Sequence, residues 1–474
     1  MERKNLIALL VACAIGAAAG KIYSDRRTAA PPPYQLPAPA WTLAQAIDEG
    51  GDYLARMTQP SGRVVYTMAA DGVHVKPTRY NVLRHAGAIY ALTDVQQLAP
   101  SETKRAAAAA ASARAADYLV KTYIRPPKEH PDMLAVWSDP KEEGGNRFTA
   151  KLGGAGLALI GLVNVGGFAP DTPTPDTALA RGARVASQPL ARPLLGPRDG
   201  GDGGDGGVAA DVEVMRGLAR FIVFMQRPGG DFISKFTDEG GKSTDFESLY
   251  YPGEAMLGMT MLYEADRDPQ WIASAAKGIA HLVHSRKGTS KLPPDHWLMI
   301  AIDRFLPFYG DVQDPPITKS EILQHAIDLG RSMIESQTKT AEERPELAGC
   351  YTNDGRTTPS ATRLEGLLAL EHALASEPAA NADVRKEVRD SIVKGIQFLR
   401  SSQHVTGPVK GGFPQAVIIP GDDADGRKAK DESEDDRPGD HRGEVRIDYT
   451  QHAVSALLRY RQMCTADPTG CVLP

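Results

Sequence analysis

The stretch Tyr250–Glu264, YYPGEAMLGMTMLYE, decides how the rest of the chain is read. Pro252 stands where a helix tolerates it, in a first turn whose N–H groups have no partner to lose. Past Glu254 the residues are small or apolar on every face. A helix apolar all round is one buried on all sides. Its mouth nevertheless carries Glu247, Tyr250, Tyr251 and Glu254. The stretch therefore predicts a central helix with polar chemistry at one end.

The same pairing recurs along the chain. Amphipathic helices are predicted at about 42–57, 106–124, 215–226, 271–286, 321–337 and 384–403. Each leads, in most cases through a short segment marked by glycine or an aromatic residue, to a helix apolar almost all round. These second helices fall at about 80–92, 148–163, 250–264, 295–302, 361–374 and 445–460. Repetition of one supersecondary unit implies neighbours that bury each other's faces. Six hairpins with fully buried second helices are not satisfied by an open row, but a closed ring satisfies them. The amphipathic helices then lie outside and the apolar ones inside. On this pattern, from about Thr42 to Met463, the chain resembles the (α/α)6 toroids. These are the six-hairpin glycosidases with their uronate-acting lyases and hydrolases, and more loosely the terpenoid-cyclase and lanthionine-cyclase toroids. The fold class expected is all-α, with short extended segments and two long loops.

Composition agrees. The 474 residues are 42% hydrophobic and 24% charged, ordinary values for a globular chain. A net charge of −5 gives no non-specific grip on nucleic acid, and no P-loop, zinc-finger or GxGxxG pattern appears. Residues 1–20 read as a signal peptide or membrane anchor: Arg3 and Lys4 precede the apolar run Leu6–Gly20. Leu10–Cys13 also fits a lipoprotein box, so cleavage, anchoring and lipidation at Cys13 stay open. Residues 21–40 are a proline-rich tether, 41–463 the toroid, and 464–474 a tail. Two insertions, 170–208 and 420–444, read as loops, the first rich in proline, arginine and glycine, the second strongly charged. The expected location is the periplasm or the outer face of a membrane, with membrane contact through the N-terminal segment only. There Cys464 and Cys471, bracketing a turn-rich loop, pair as a disulfide. Cys350 is left over.

Substrates of the similar families bind at the mouth of the ring, near the N-termini of the inner helices. The resemblance therefore directs attention to the polar residues at those ends: Arg84 and His85; Lys151; Tyr250, Tyr251 and Glu254; Asp295, His296 and Trp297; Arg363 and Glu365; Arg446, Asp448, Tyr449 and His452. Each has a structural reading as well. Glu365 completes a capping box with Thr362, and Glu247 does so with Thr244. Asp295, after Pro293 and Pro294, suits an N-cap. Asp448 and His452 share a helix face as a pair. Glu254 has no capping partner and is the hardest to explain structurally.

The functional expectation is a glycoside hydrolase-like enzyme with Glu254, Asp295 and Asp448 as catalytic carboxylates. One would be protonated, the other base or nucleophile. Tyr250, Tyr251, Trp297 and Tyr449 suit stacking on sugar rings. Arg84, Lys151, Arg363 and Arg446 point to an anionic, uronate-containing saccharide, with His85, His296, Glu365 and His452 also lining the site. Alternatives are a lyase or uronyl epimerase using Tyr or His in the same cavity, and a non-catalytic saccharide-binding or scaffold protein. A metal site of His85, His296, His452 and Asp448 is chemically conceivable, but its spacing is not diagnostic; neither a cofactor nor a metal is expected.

Overall fold

Thr42 and Gln45 open the first helix with a reciprocal capping box, and the helix runs Leu43–Arg56 (α1). The next helix is Val82–Leu98 (α2). The computed structural model describes residues 36–72, 80–166, 212–376, 381–417 and 443–471. The N-terminal targeting segment, most of the tether, the 170–208 insertion and residues 420–442 of the second insertion lie outside these. The remaining helices are Glu102–Tyr123 (α3), Pro140–Glu143 (α4), Leu152–Gly166 (α5), Val212–Met225 (α6), Tyr251–Asp266 (α7) and Pro269–Ser285 (α8). They continue with His296–Phe305 (α9), Lys319–Glu343 (α10), Thr357–Leu374 (α11), Ala382–Ser402 (α12) and Ile447–Ala466 (α13). From Pro37 onward the chain forms one compact unit.

Leaving aside the one-turn α4, these helices alternate. The outer ones are α1, α3, α6, α8, α10 and α12; the inner ones are α2, α5, α7, α9, α11 and α13. The inner helices pack in the cyclic order α2–α5–α7–α9–α11–α13 and back to α2, so the ring closes. Burial follows this division. In α7 every residue from Pro252 to Tyr263 is buried. In α10 the buried stripe is Ile322, Ala326, Leu329, Met333 and Gln337, one face of a helix. The fold is the (α/α)6 toroid that the repeat implied.

One device holds neighbouring hairpins together three times. Gln226 and Gln403 lie just beyond the ends of outer helices α6 and α12, and Gln337 lies within the last two turns of α10. Each donates from Nε2 to the carbonyl of a turn glycine (Gly230, Gly349 and Gly411) at 2.9–3.0 Å. Each donates again to a backbone carbonyl of the next outer helix, Ser274, Ser391 or Ala46, at 3.0–3.1 Å. The last clamp runs from the end of α12 to α1 and so joins the sixth hairpin to the first. The glycines have φ of +94°, +92° and +88° and press on that same outer helix. Phe232, Tyr351 and Phe413, two residues after each glycine, turn into the core.

Two inner helices start later than expected. Thr149–Lys151, read as helix, is a strand (β4). Residues Ile124–Arg125 (β2), Ala135–Ser138 (β3), Lys235–Thr237 (β5) and Gly241–Ser243 (β6) join it in an antiparallel sheet of order β2-β3-β4-β5-β6. Lys151 therefore ends a strand and does not sit in a helical turn. Likewise Val445–Arg446 (β7) pairs with Thr67–Met68 (β1), a short tie between the first and sixth hairpins. Helix α13 runs past the expected boundary at 463. Cys464 lies in its last turn and is disulfide-bonded to Cys471, Cα–Cα 5.8 Å. Among the described residues no helix is long and apolar enough to cross a membrane.

The turn glycines give a direct test of the packing. A Cβ at position 411 would lie 2.1 Å from the Glu49 carbonyl oxygen, whereas at Gly407, also at positive φ, it meets nothing within 4 Å. Gly407→Ala is expected to cost about 1 kcal/mol, the backbone term alone. Gly411→Ala should cost roughly 3 kcal/mol or more, because backbone must move as well. Urea midpoints of the two variants measure the difference.

Candidate functional site

The N-terminal ends of the inner helices meet. Gly153 of α5 lies against Tyr251 and Glu254, Gly253 of α7 against Trp297, and Gly366 of α11 against His296. The inner helices thus run parallel, and their polar first turns gather at one end of the ring. This is where the chemistry-bearing residues come together, at two depths.

At the upper level stand Arg84, Glu254, Asp295, Arg446 and Asp448. Glu254 is 5% exposed, and its Oε2 has no hydrogen-bond partner. Gly153 makes room for it, since a Cβ there would lie 2.1 Å from Oε2. Burial pushes its carboxyl up to about 8; the charge of Arg84 works against that shift and Asp295 adds to it. The other two carboxylates are engaged. Asp295 caps α9 by accepting from the Leu298 N–H at 3.0 Å, and its second oxygen pairs with Arg286 at 2.8 Å. Asp448 is gripped by Arg446 through Nε at 2.6 Å and Nη2 at 2.9 Å, with Arg84 at 3.3 Å. Burial alone would raise Asp448, but Arg446 and Arg84 overrule it and hold the carboxyl well below its usual range.

At the lower level His296, Trp297, Glu365 and His452 form a buried cluster. The two imidazole centroids are 5.6 Å apart at an interplanar angle of 80°. His452 is bonded through Nδ1 to Glu365 Oε2 at 2.7 Å. A carboxylate only accepts, so Nδ1 carries the proton and Nε2 is the ring atom left for chemistry. His296 is 2% exposed, and both its ring nitrogens lack a partner, as does Glu365 Oε1. Burial, then the charges of His452, Arg363 and Arg84, hold His296 well below its ordinary pKa, so its ring is neutral. Tyr250, 38% exposed at the rim, stands edge-on over His296 at 5.1 Å. Trp297 lies beneath, 5.1 Å from His296 and 6.1 Å from His452. One ligand atom each from His296, Glu365 and His452 lies within 4.8 Å of the others. Among the described residues this trio is where a divalent cation would find two imidazoles and a carboxylate.

Several residues expected at the site have other partners. His85 bonds Tyr80 through Nδ1 and the Ala115 carbonyl of outer helix α3 through Nε2, at 2.8 Å for the latter, so it joins inner to outer helix. Lys151 pairs with Glu143 at 2.6 Å. Tyr449 is a platform for Arg446, whose guanidinium lies 4.6 Å from its ring centre. Tyr251 packs against Gly153. Glu365 is no capping residue: α11 begins at Thr357, so Glu365 lies more than two turns inside it and faces the ring. Glu247 caps nothing, because residues 244–249 precede α7, where the Ser248 Oγ accepts from the N–H groups of Tyr250 and Tyr251.

A third polar layer lies deeper and was not anticipated. Arg459 donates to the Tyr90 hydroxyl and faces Asp94 at 3.8 Å. Burial raises Asp94 to about 6, with Arg459 opposing and Glu365 assisting. Its sequence signal was the seven-residue step from His452 to Arg459, two turns along one face. The partners Arg286 and Glu143 carry no such signal, since they arrive from the end of an outer helix and from the one-turn α4.

No protein-family model matches the chain, and no curated protein does. Its fold is similar to those of solved sugar-converting toroids. A cellobiose 2-epimerase from Spirochaeta thermophila DSM 6192 superposes with a TM-score of 0.55 at 12% identity, covering 89% of this chain and 96% of that one. A D-mannose isomerase gives 0.53 at 12%, covering 89% and 97%. A sugar epimerase from a ruminal bacterium gives 0.52 at 10%, covering 88% and 98%.

The state of Glu254 is measurable through stability. Folded, it holds its proton up to about pH 8; unfolded, it ionises near its ordinary value of 4.5. Between these values the folded chain binds more protons, so this group's contribution to stability falls as pH rises from 4.5 to 8 and is level above. The limiting slope is roughly 1.4 kcal/mol per pH unit. Urea denaturation from pH 5 to 9 should show that fall in the wild type and its absence in Glu254→Gln.

Proposed function

We propose that the protein is an enzyme that moves a proton within a saccharide held at the centre of the ring, an isomerase or epimerase acting beside a sugar carbonyl. The observation that carries this reading is the histidine pair. One imidazole is fixed by a carboxylate, and the other is buried with both nitrogens open. Two groups on different inner helices are what a reversible proton shift needs, one to take a proton from carbon and one to serve the oxygen. In an open-chain aldose, neutral His296 takes the proton from C2. The C–H electron pair becomes the C1–C2 double bond, and the carbonyl oxygen takes the Nε2 proton of His452, which donates as an imidazolium while its Nδ1–H stays on Glu365. Return of a proton to C1 gives the ketose; return to the opposite face of C2 gives the epimer. The enediol hydroxyl returns its proton to His452, so nothing is oxidised or reduced overall. Isomerases and epimerases among the similar toroids agree with this class of reaction, although what is shared with them is the fold.

The substrate is read as an anionic, uronate-containing saccharide, from the basic residues at the mouth. Export is supported by the charged and apolar N-terminal run and by the Cys464–Cys471 disulfide, which suits an oxidising compartment. Hydrolysis of a glycosidic bond is a second reading. Glu254, protonated and unpartnered, favours it as the general acid. It lacks an open second carboxylate, because Asp295 and Asp448 are both held by arginine.

The test is incubation of aldoses, uronates and oligosaccharides in D2O, with products read by NMR and mass spectrometry. Deuterium at C2 is expected with the wild type. His296→Ala and His452→Ala should each lower the rate by roughly 10²–10⁴-fold. New reducing ends without deuterium, lost in Glu254→Gln, would replace this reading with hydrolysis. Products lighter by one water would indicate elimination. Binding without any product would leave a saccharide-binding protein.

A further inference from the structure

Four basic residues were expected to greet an anionic substrate, and their surroundings separate them. Arg84 and Arg446 share Asp448, and Lys151 is paired with Glu143. Arg363 has no carboxylate partner among the described residues. Its Nη1 donates to the Pro359 carbonyl at 2.9 Å, one turn earlier in α11, and its Nε is buried with no acceptor. The nearest carboxylate candidate, Asp354, is engaged by Arg356 at 2.6 Å. Arg363 as a whole is half-buried, and a guanidinium partly withdrawn from water without a counter-charge is unfavourable, such charges being ordinarily paired.

The position of this cation gives it a use. Gly366, one turn further along α11 on the same face, packs directly on His296, the open member of the histidine pair, and the charge of Arg363 reaches His296 and Tyr250. With Nη1 turned to a carbonyl, the Nε–Nη2 edge of the fork is left, and that edge grips a carboxylate through two parallel bonds. We infer that Arg363 is the docking point for the carboxylate of a uronic acid, held beside His296. This rests on the proposed site at the centre of the ring and names its substrate class. A sugar phosphate fits less well: a dianion calls for a second cation, and Arg356 is engaged by Asp354 while Arg84 and Arg446 are both drawn to Asp448.

The experiment compares D-glucuronate with its neutral isostere D-glucuronamide, and with glucose 6-phosphate, by calorimetry on the whole protein. The wild type is expected to bind glucuronate roughly 10- to 100-fold more tightly than the amide, the worth of hydrogen bonds to a charged group. In Arg363→Gln that ratio should fall to near one, and Arg363→Lys should restore part of it, lacking the fork. Thermal unfolding of each variant monitors folding, and the amide comparison on wild type alone stands if a variant does not fold. Equal binding of acid and amide, or tighter binding of the phosphate, overturns the inference. Deuterium exchange at C2, read in parallel, keeps the two claims apart. Exchange on neutral sugars without acid preference removes the carboxylate dock and leaves the proton-transfer reading. Acid preference lost with Arg363 but no exchange does the reverse.

Discussion

Everything in this molecule depends on six helices that are apolar on nearly every face. No such helix is stable in water, and each needs neighbours on all sides. A closed ring with an outer layer supplies them without leaving an end helix exposed. The ring still has to be held in register, and the glutamine clamps do this with backbone carbonyls as partners. Each clamp ties the C-terminal part of one outer helix, or the residue after it, to a turn glycine and to the next outer helix. Because the acceptors are main-chain atoms, the clamp survives changes of side chain around it.

Closure also fixes the electrostatics. The space at the inner helix ends is withdrawn from water, so each titratable group there is ruled by its partners. Glu254 and Asp448 are both buried carboxylates one helix turn from a mouth. Asp448 faces two guanidinium groups and stays ionised, whereas Glu254 has only a distant one and keeps its proton. His296 is kept neutral by the same burial and by positive neighbours. A neutral imidazole, a second imidazole oriented by Glu365 and, on the helix that carries Glu365, a guanidinium with no carboxylate partner among the described residues therefore gather at the inner helices.

Much of this was legible in the residues. The alternation of amphipathic and all-apolar helices gave the toroid, since periodicity reports which faces must be buried. The gathering of polar residues at one end was legible too, because parallel inner helices bring their first turns together. The reading was weaker where two explanations shared one signal. Thr362 and Glu365 match a capping box, but the helix starts at Thr357 and turns Glu365 inward to His452. Thr149–Lys151 has helix-like neighbours, but strand pairing on both sides claims it.

The sequence by itself determined the architecture, the number of hairpins and the end of the ring where polar chemistry collects. These follow from local periodicity, and local periodicity is written in consecutive residues. Only the tertiary structure decided which polar residues are engaged and which are open. His85 turned out to serve an outer helix, Asp295 to cap and pair with Arg286, and Arg363 to stand without a carboxylate among the described residues. Ala115 reaches His85 from the next hairpin, whereas Arg286 and Glu143 come from the same hairpins as Asp295 and Lys151, from the end of outer helix α8 and from α4, and neither approach is written in consecutive residues. The physical reason is that burial states a demand for a partner, while the identity of the partner is a matter of three-dimensional neighbourhood.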